Sequence, residues 1–384
     1  MEVKQVHTLS NTAASEVLGI ENVVKEDLSN LVDVGTQIFN ANAVDRYVRS
    51  LVNQIGKIVF VNRPYKGSVP SVLMDGWEFG SVLEKIQGEL PNASANETWD
   101  LVDGKSYDPN IFYQPKVSAK FFNSLVTFEV ECSFTERQIE QSFQNATQLN
   151  AFLSMLYANV EKAMTIRIDS FIMRTINNMT AVTIDQEERA KAVNLLSMYK
   201  AIHEGSALTV DTAMTDPDFI RFAVYTMANY MDRMEKISTL FNLGSKARFT
   251  PKDLLHVVML SDFRNAADVY LQSSTFHDNY TRLPNAETVP YWQGSGSEYS
   301  FRDISSINVK AKLPGGDTVE VVQDGIICVM FDRDALGVMN PNRRVTTNWN
   351  AKAEFWTNFY KWDSGYFNDF NENFVVFYIK DEEI

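Results

Sequence analysis

The sequence predicts an α+β fold, and three patterns carry this prediction. Residues 355–379 hold eleven aromatic residues and end in an unbroken apolar run, which is typical of a strand buried on both faces. Residues 126–134 alternate strictly between apolar and polar side chains, as expected for a half-buried strand. Residues 147–178 carry one apolar stripe at helical spacing, which predicts a helix about 48 Å long at 1.5 Å per residue.

The N-terminal part of the chain is predicted to form an arm. Residues 1–19 are small and polar, and we interpret them as flexible. Residues 20–32 and 44–55 repeat apolar side chains at three- and four-residue spacing, which predicts two amphipathic helices. These helices either belong to a domain or dock on a neighbouring subunit, and the sequence leaves both possibilities open.

The next segment predicts a long excursion of the chain. Residues 58–61 read as a short strand, and residues 62–116 show no sustained period while holding five of the eleven prolines. A two-stranded loop that reaches another subunit would explain such a segment, and an ordinary irregular insertion is the alternative. Strand 126–134 is expected to pair with residues 58–61 and so to close the excursion at its base.

The long helix is expected to span a whole domain. Thr135 and Gln138 fit a capping box at its start. A coiled coil is the competing interpretation, but charged residues at the flanking positions are sparse. Cys132 falls on the apolar face of the preceding strand, which predicts a packing role.

Residues 181–345 predict a separate α/β unit. A helix begins at Asp216-Pro217, with proline at the first helical position, and its apolar stripe continues to Phe241 before Gly244. Residues 254–260 and 326–331 are apolar runs that predict buried strands, and residues 307–322 predict a hairpin.

The aromatic C-terminal stretch contains two turn-rich breaks, at residues 363–365 and 369–373. The breaks predict two or three strands that fold back on each other. Strands this aromatic need cover on both faces, and the helix at residues 147–178 is the candidate for that cover.

The composition argues against several classes of protein. The net charge is -14, the opposite of a nucleic-acid-binding surface; it suits a surface that does not adhere to DNA, although solubility explains it equally well. The two cysteines, Cys132 and Cys328, allow at most one disulfide, so a reducing compartment is expected. No apolar run approaches membrane-spanning length, and the N-terminus lacks a secretion signal pattern.

No motif indicates catalysis, a cofactor or a metal. The sequence has no phosphate-binding glycine loop, no nucleophile elbow and no paired-histidine metal motif. Asp332-Arg333-Asp334 is interpreted as a turn with a helix cap. A triad assembled from distant residues would leave no such motif, but nothing points to one. We therefore expect a protein that is not an enzyme and binds no cofactor.

Four stretches carry a resemblance to a known family: residues 331–338 (FDRDALGV), Arg343-Arg344, residues 355–359 (FWTNF) and residues 365–377 (GYFNDFNENFVVF). They resemble the end of the major capsid proteins of tailed bacteriophages, which have the Hong Kong 97-like shell fold. The order of the predicted elements over nearly the full chain is similar as well.

The resemblance implies five regions. They are an N-terminal arm with amphipathic helices (1–56), an extended loop with its base strands (57–134), a peripheral domain with a long spine helix (135–190), an axial domain (191–345) and a return to the peripheral-domain sheet (346–384).

The resemblance also implies candidate site residues. The candidate interface residues in the extended loop are Tyr65, Lys66, Trp77, Phe79, Trp99, Phe112 and Tyr113. The expected core of the peripheral sheet consists of Phe128, Val130, Phe374, Val376 and Tyr378. Some family members cross-link a loop lysine to a neighbour's asparagine; the loop lysines here are Lys66, Lys85 and Lys105, and no sequence feature identifies the asparagine.

The implied function is that of a structural major capsid protein, which self-assembles into pentamers and hexamers of an icosahedral head around the phage genome. The implied partners are other copies of the chain, a portal, packaged double-stranded DNA held without sequence-specific contact, and a separate scaffolding protein, since the N-terminus is too short for a full scaffolding region. Assembly is expected in the host cytoplasm, with no membrane involved. The alternatives are an encapsulin-like compartment shell, another virion structural protein, and an unrecognised enzyme.

Overall fold

The structure is a computed structural model of the chain. The residues that it describes are 3–19, 23–25, 30–40, 46–47, 50, 69–74, 83–91, 93, 96–108, 110, 112–114, 116–135, 146–186, 190–272, 286–293, 300–313 and 315–381. The chain divides into two compact units. Unit 1 comprises residues 1–78, 125–175 and 338–365, and unit 2 comprises residues 79–124, 176–337 and 366–384.

The described helices and strands follow the chain in this order. The helices are α1 (Val3–Leu18), α2 (Leu31–Asn40), α3 (Ala146–Asp185), α4 (Leu195–Ile202), α5 (Val210–Ala213), α6 (Pro217–Met234), α7 (Ser261–Gln272) and α8 (Phe301–Ile304). The strands are β1 (Leu83–Gly88), β2 (Val117–Phe122), β3 (Leu125–Thr135), β4 (Ala192–Asn194), β5 (Leu255–Leu260), β6 (Glu287–Val289), β7 (Ile307–Lys312), β8 (Thr318–Gln323), β9 (Ile326–Asp332), β10 (Leu336–Asn350), β11 (Phe355–Asn368) and β12 (Phe374–Tyr378).

The N-terminal segment is a helix, so the prediction that residues 1–19 are flexible is wrong. Ser10, Ala13 and Ala14 are fully buried in α1. Their spacing places them on one helix face, and small side chains allow close packing there. No apolar stripe is recognisable in the sequence of this helix, because its buried residues are small rather than strongly apolar.

The predicted helix at residues 20–32 is wrong for residues 23–25, which are not helical, whereas Leu31 and Val32 are helical and begin α2. Side chains hold this backbone instead: Asn11 accepts a hydrogen bond from the Val24 amide at 3.0 Å, and Asn30 accepts one from the Lys25 amide at 2.8 Å. Of the predicted helix at residues 44–55, the described positions Arg46, Tyr47 and Ser50 are helical. The predicted strand at residues 58–61 lies outside the described residues.

Unit 1 contains a three-stranded sheet in the order β10-β11-β3. β3 pairs antiparallel with β11, and this register places Phe128 opposite Trp362 and Val130 opposite Tyr360. β11 runs without a break through residues 363–365, so the first predicted turn is wrong. Alternation of buried and half-buried residues continues there, with Trp362 and Ser364 buried. The second predicted break, at residues 369–373, is confirmed as a turn.

The long helix α3 is confirmed and exceeds its prediction. Its 40 residues correspond to about 60 Å at 1.5 Å per residue. Thr183, beyond the predicted end, continues the helix, and its hydroxyl donates to the Met179 carbonyl at 2.8 Å. Within unit 1, the Phe171 ring of α3 meets the Phe128 ring of β3 edge to face at 5.2 Å. The expected cover of the aromatic sheet by this helix is therefore observed at Phe128.

Unit 2 contains a five-stranded mixed sheet in the order β4-β12-β9-β5-β6. Helices α4, α6 and α7 contribute to its apolar core, together with the inner residues of β5, β9 and β12. The start of α6 is as predicted: Asp216 is the N-cap, and its carboxylate accepts a hydrogen bond from the Phe219 amide at 2.7 Å. The helix ends at Met234 rather than near Gly244, because Ser238 and Arg248 form a β-bridge that turns the chain back.

The five residues predicted to form one sheet core lie in two sheets, which corrects that prediction. Phe128 and Val130 belong to the three-stranded sheet, whereas Phe374, Val376 and Tyr378 lie in β12 of the five-stranded sheet. β12 pairs with β9 on one side and with β4 on the other, because a fully apolar strand is accommodated between two covered neighbours. The names and bounds of the five predicted regions remain predictions.

Candidate functional site

Within the predicted extended loop, residues 83–122 form a β-hairpin in unit 2, whereas its described residues 69–74 and 125–134 belong to unit 1. β1 pairs antiparallel with β2, from Leu83 opposite Phe122 to Gly88 opposite Val117. At the end of the strands that leads into the connecting segment, the Glu89 amide donates a hydrogen bond to the Lys116 carbonyl at 2.8 Å. We call residues 83–122 the hairpin and residues 90–115 its loop. The pairing of β1 with β2 agrees with the two-stranded form predicted for this segment, and its reach to another subunit stays a prediction.

The loop exposes large aromatic side chains. Trp99 is 95% exposed, Phe112 83% and Tyr113 81%. The loop has some local order, since the Val102 amide donates to the Tyr107 hydroxyl at 3.0 Å. Exposed aromatic surface of this extent marks an interaction site more often than an accident of folding.

The two faces of the hairpin strands differ in character. Ile86, Val117 and Phe121 are exposed on one face. Lys85 and Gln87 on the other face are half-buried. The alternation follows from the period of two in a strand. The exposed apolar surface of the loop therefore continues along the outer face of both strands.

The inner face of the hairpin carries and contacts a cluster of charged side chains and one amide, which we call the charged base: Lys85, Gln87, Lys120, Arg248, Asp369 and Glu372. Asp369 lies in the turn between β11 and β12 and is fully buried. Its Oδ2 is 2.9 Å from Lys85 Nζ, and its Oδ1 is 2.8 Å from Lys120 Nζ. Each strand of the hairpin thus contributes one lysine that forms an ion pair with Asp369.

Glu372 completes the charged base. Its Oε1 lies 2.8 Å from Lys85 Nζ and accepts a hydrogen bond from Gln87 Nε2 at 2.7 Å. Arg248 donates to Gln87 Oε1 at 2.7 Å and lies 3.5 Å from the same Glu372 oxygen. Each charged side chain of the charged base therefore has an oppositely charged neighbour.

The two carboxylates respond differently to burial. Burial opposes the charge of Asp369, but Lys85, Lys120 and the Asn371 amide outweigh it, so the pKa of Asp369 is lowered. Burial dominates at Glu372 and raises its pKa despite Lys85 and Arg248. The pKa of Lys85 is raised, because Asp369 and Glu372 outweigh the cost of its burial. Asp369 is therefore the more strongly stabilised anion.

The remaining predicted interface residues, Tyr65, Lys66, Trp77 and Phe79, lie outside the described residues. Among the residues that the structure does describe, no group of three or more His, Cys, Asp or Glu side chains is arranged to hold a metal ion. No helix in the described part of the chain is long and apolar enough to cross a membrane.

Sequence reasoning missed most of the charged base. The sequence identifies Lys85 only as a loop lysine, and Asp369 and Glu372 only as part of a turn. The contacts of the two lysines join residues 249 to 287 positions apart in the chain, so no local pattern indicates them. The one available signal was the repeated presence of lysine in an otherwise acidic and aromatic excursion.

Comparisons with known proteins identify the family. A family model for the Phi29-like phage major capsid proteins matches residues 8–378. No curated protein matches the chain. Two similar solved structures are "Capsid structure of Staphylococcus phage Andhra" and "Structure of head fiber and inner core protein gp22 of native bacteriophage P68".

The chain is 9% identical to the first, with a TM-score of 0.50 over 81% of this chain and 83% of the other. It is 9% identical to the second, with a TM-score of 0.51 over 84% of this chain and 86% of the other.

At this identity the likeness shows the fold alone, and it confirms the predicted α+β capsid fold. The family match confirms the predicted phage capsid function. Because the matched region spans nearly all of the sequence, the chain belongs to the Phi29-like phage major capsid protein family, whose role in the phage capsid is structural.

Proposed function

We propose that the chain self-assembles into pentamers and hexamers that close into the icosahedral phage head, and that the loop of each copy docks on an adjacent copy. The observation that supports this role is the exposure of Trp99, Phe112 and Tyr113 on a loop that projects beyond the paired strands. Burying three such rings at an interface removes a large apolar area from water. The same contact repeated around a ring is heterologous, and rings that close give pentamers or hexamers.

Other components follow from the proposed head. A scaffolding protein and a portal act during assembly in the host cytoplasm, and double-stranded DNA fills the completed head. A net charge of -14 disfavours adhesion of the shell protein to DNA phosphates, so the packaged DNA is held without sequence-specific contact. These roles require no catalytic residue.

A loop truncation tests the proposed role. Residues 90–115 are replaced by Asn-Gly, which favours the tight turn needed to join Glu89 to Lys116 across their existing hydrogen bond. We expect a folded protein with the circular dichroism spectrum of a folded α+β chain but no shells by negative-stain electron microscopy.

The matched control replaces residues 315–316, which lie between β7 and β8, with a turn of equal length, and it is expected to leave assembly intact. Shells of normal size from the loop-truncated chain would contradict the proposed role of the loop.

A further inference from the structure

The attachment of the hairpin to unit 2 is mainly polar. Among the described strands, β1 and β2 pair only with each other. The described apolar core of unit 2 includes no residue of either strand. Among the described contacts, the Phe122 and Phe367 rings lie 5.2 Å apart, and the other contacts of the inner face are polar. They are the charged base, a hydrogen bond from Lys85 Nζ to the Asp334 carbonyl at 3.1 Å, and an ion pair between Glu89 and Lys246 at 2.9 Å. The direction of the hairpin therefore depends on those ion pairs and hydrogen bonds.

Lys85 and Lys120 stand directly opposite each other across β1 and β2. Two like charges at directly opposite positions of an antiparallel pair destabilise that pair. Here one carboxylate serves both lysines, with Oδ2 of Asp369 on Lys85 and Oδ1 on Lys120. The repulsion between the strands is thus compensated only while the hairpin is docked on the turn that carries Asp369.

The Asp369 carboxylate is itself held in place. The Asn371 amide donates to Oδ1 at 3.1 Å, and the Asp369 amide donates to the Ala335 carbonyl at 2.6 Å. The Glu372 amide donates to the Asp369 carbonyl at 3.1 Å. The carboxylate is therefore presented from a hydrogen-bonded turn rather than from a free surface side chain.

We propose that Asp369 is a positioning residue that makes the pairing of β1 with β2 and the docking of the hairpin a single cooperative event. Loss of its charge leaves two lysines facing each other without their shared counter-ion, and the hairpin separates from the turn. Asp369 thereby fixes the direction in which the loop leaves the subunit. Its importance for assembly rests on the proposed function of the loop.

Glu372 differs from Asp369 in its contacts and in the effect of burial on its charge. It contacts Lys85 but not Lys120, and burial disfavours its charge. Glutamine at this position keeps an oxygen that can accept hydrogen bonds from Lys85 and Gln87. Glu372→Gln is therefore the matched control for Asp369→Asn, since both remove one buried negative charge next to Lys85.

Hydrogen-exchange mass spectrometry on the full chain at neutral pH tests the inference. In Asp369→Asn, we expect the amides of β1 and β2 to exchange at least about tenfold faster, a change of about 1.4 kcal/mol in local stability. The amides of α6 and β9 keep their protection and serve as the internal control for folding. Glu372→Gln is expected to change the exchange of the hairpin less than about threefold, following the weaker stabilisation of its charge.

A second substitution separates positioning from a simple loss of packing. Lys120→Gln in the Asp369→Asn background removes the repulsion between the strands, and we expect it to restore most of the hairpin protection although it removes one further polar contact. Such a result is non-additive, as expected for residues that share one interaction. Exchange that stays fast in the double variant overturns the inference, as does unchanged exchange in Asp369→Asn or loss of protection that spreads to β9.

Electron microscopy of the same variants separates this inference from the proposed function. A released hairpin together with normal shells supports the role of Asp369 and contradicts the need for a directed loop. A released hairpin together with failed or misshapen shells, recovered in the double variant, supports both.

Discussion

Phe128 of β3 and Phe171 of α3 meet edge to face, with their ring centroids 5.2 Å apart. Phe171 is buried, and Phe128 also lies 5.9 Å from the Trp362 ring of β11. One helix residue thus contacts the sheet at the point where two of its strands contribute aromatic rings. This contact is one point at which helix and sheet pack together in unit 1.

Replacing Phe171 should destabilise the protein strongly. We expect Phe171→Ala to lower the free energy of unfolding by about 3–5 kcal/mol, because it removes a buried ring and leaves a cavity. Phe121→Ala removes the same side chain from an exposed position and should cost less than about 0.5 kcal/mol. Urea unfolding followed by circular dichroism measures both values, and equal costs would contradict the assigned packing.

The loop aromatics should affect assembly without affecting folding. We expect a triple variant, Trp99→Ser, Phe112→Ser and Tyr113→Ser, to unfold at the wild-type urea concentration, because these rings have little contact with the subunit. Its shells should be absent or markedly fewer by size-exclusion chromatography and electron microscopy. A triple variant that assembles at the wild-type level would show that the exposed rings are not the interface.

Docking of the hairpin should resist mild acid. The pKa of Asp369 lies below 3.8 in the folded protein, so its stabilising contribution is complete above about pH 4 and is lost as the pH falls through the lowered value. The pKa of Glu372 lies above 4.5, so protonation of this group as the pH falls favours the folded state. Protection of hairpin amides, corrected for intrinsic exchange, should not decrease between pH 7 and about 4.5 and should decrease only below about 3.8.

Lys85 sets the alkaline limit of hairpin docking. Because its pKa is raised in the folded protein, its contribution to stability is complete below about pH 10.5. This contribution is lost as the pH rises through the pKa of the folded state. In Asp369→Asn the acid transition of the hairpin should disappear. Release of the wild-type hairpin near pH 6 would contradict the assigned charges.

Gly325 should not tolerate a side chain. Its φ is +73°, and a Cβ built there would lie 2.0 Å from the Ile379 carbonyl oxygen. Gly316, with φ +97° and open space around it, is the matched control. We expect Gly316→Ala to cost about 1–2 kcal/mol from backbone strain, and Gly325→Ala to cost at least about 2 kcal/mol more because the Ile379 backbone must move. Thermal unfolding of both variants measures the difference, and equal costs would argue against the close approach.

Local signals in the sequence predicted elements well where one segment determines its own structure. The proline after Asp216 predicted the start of α6, and the alternation at residues 126–134 predicted β3. The stripe at residues 147–178 predicted most of α3. In each case the information lies within a few turns or a single strand.

Pairing between distant segments could not be predicted in the same way. An apolar run such as β12 fits any covered position in a sheet, and nothing in its residues favours β9 over β3 as a neighbour. The same holds for Asp369: its sequence predicts only a turn, whereas the two lysines that contact it lie in a hairpin about 250 to 285 positions earlier. Such partners are selected by the whole fold, so a single sequence without relatives carries no direct record of them.

The place of β12 in its sheet has a consequence for protein synthesis. This strand lies between β4 and β9, so two parts of the sheet remain unjoined until residues 374–378 have been made. Val375, Phe377 and Ile379 also fill the core between helices that are translated far earlier. Unit 2 therefore completes its folding only after these residues leave the ribosome, which delays the appearance of an assembly-competent subunit until translation has passed this point.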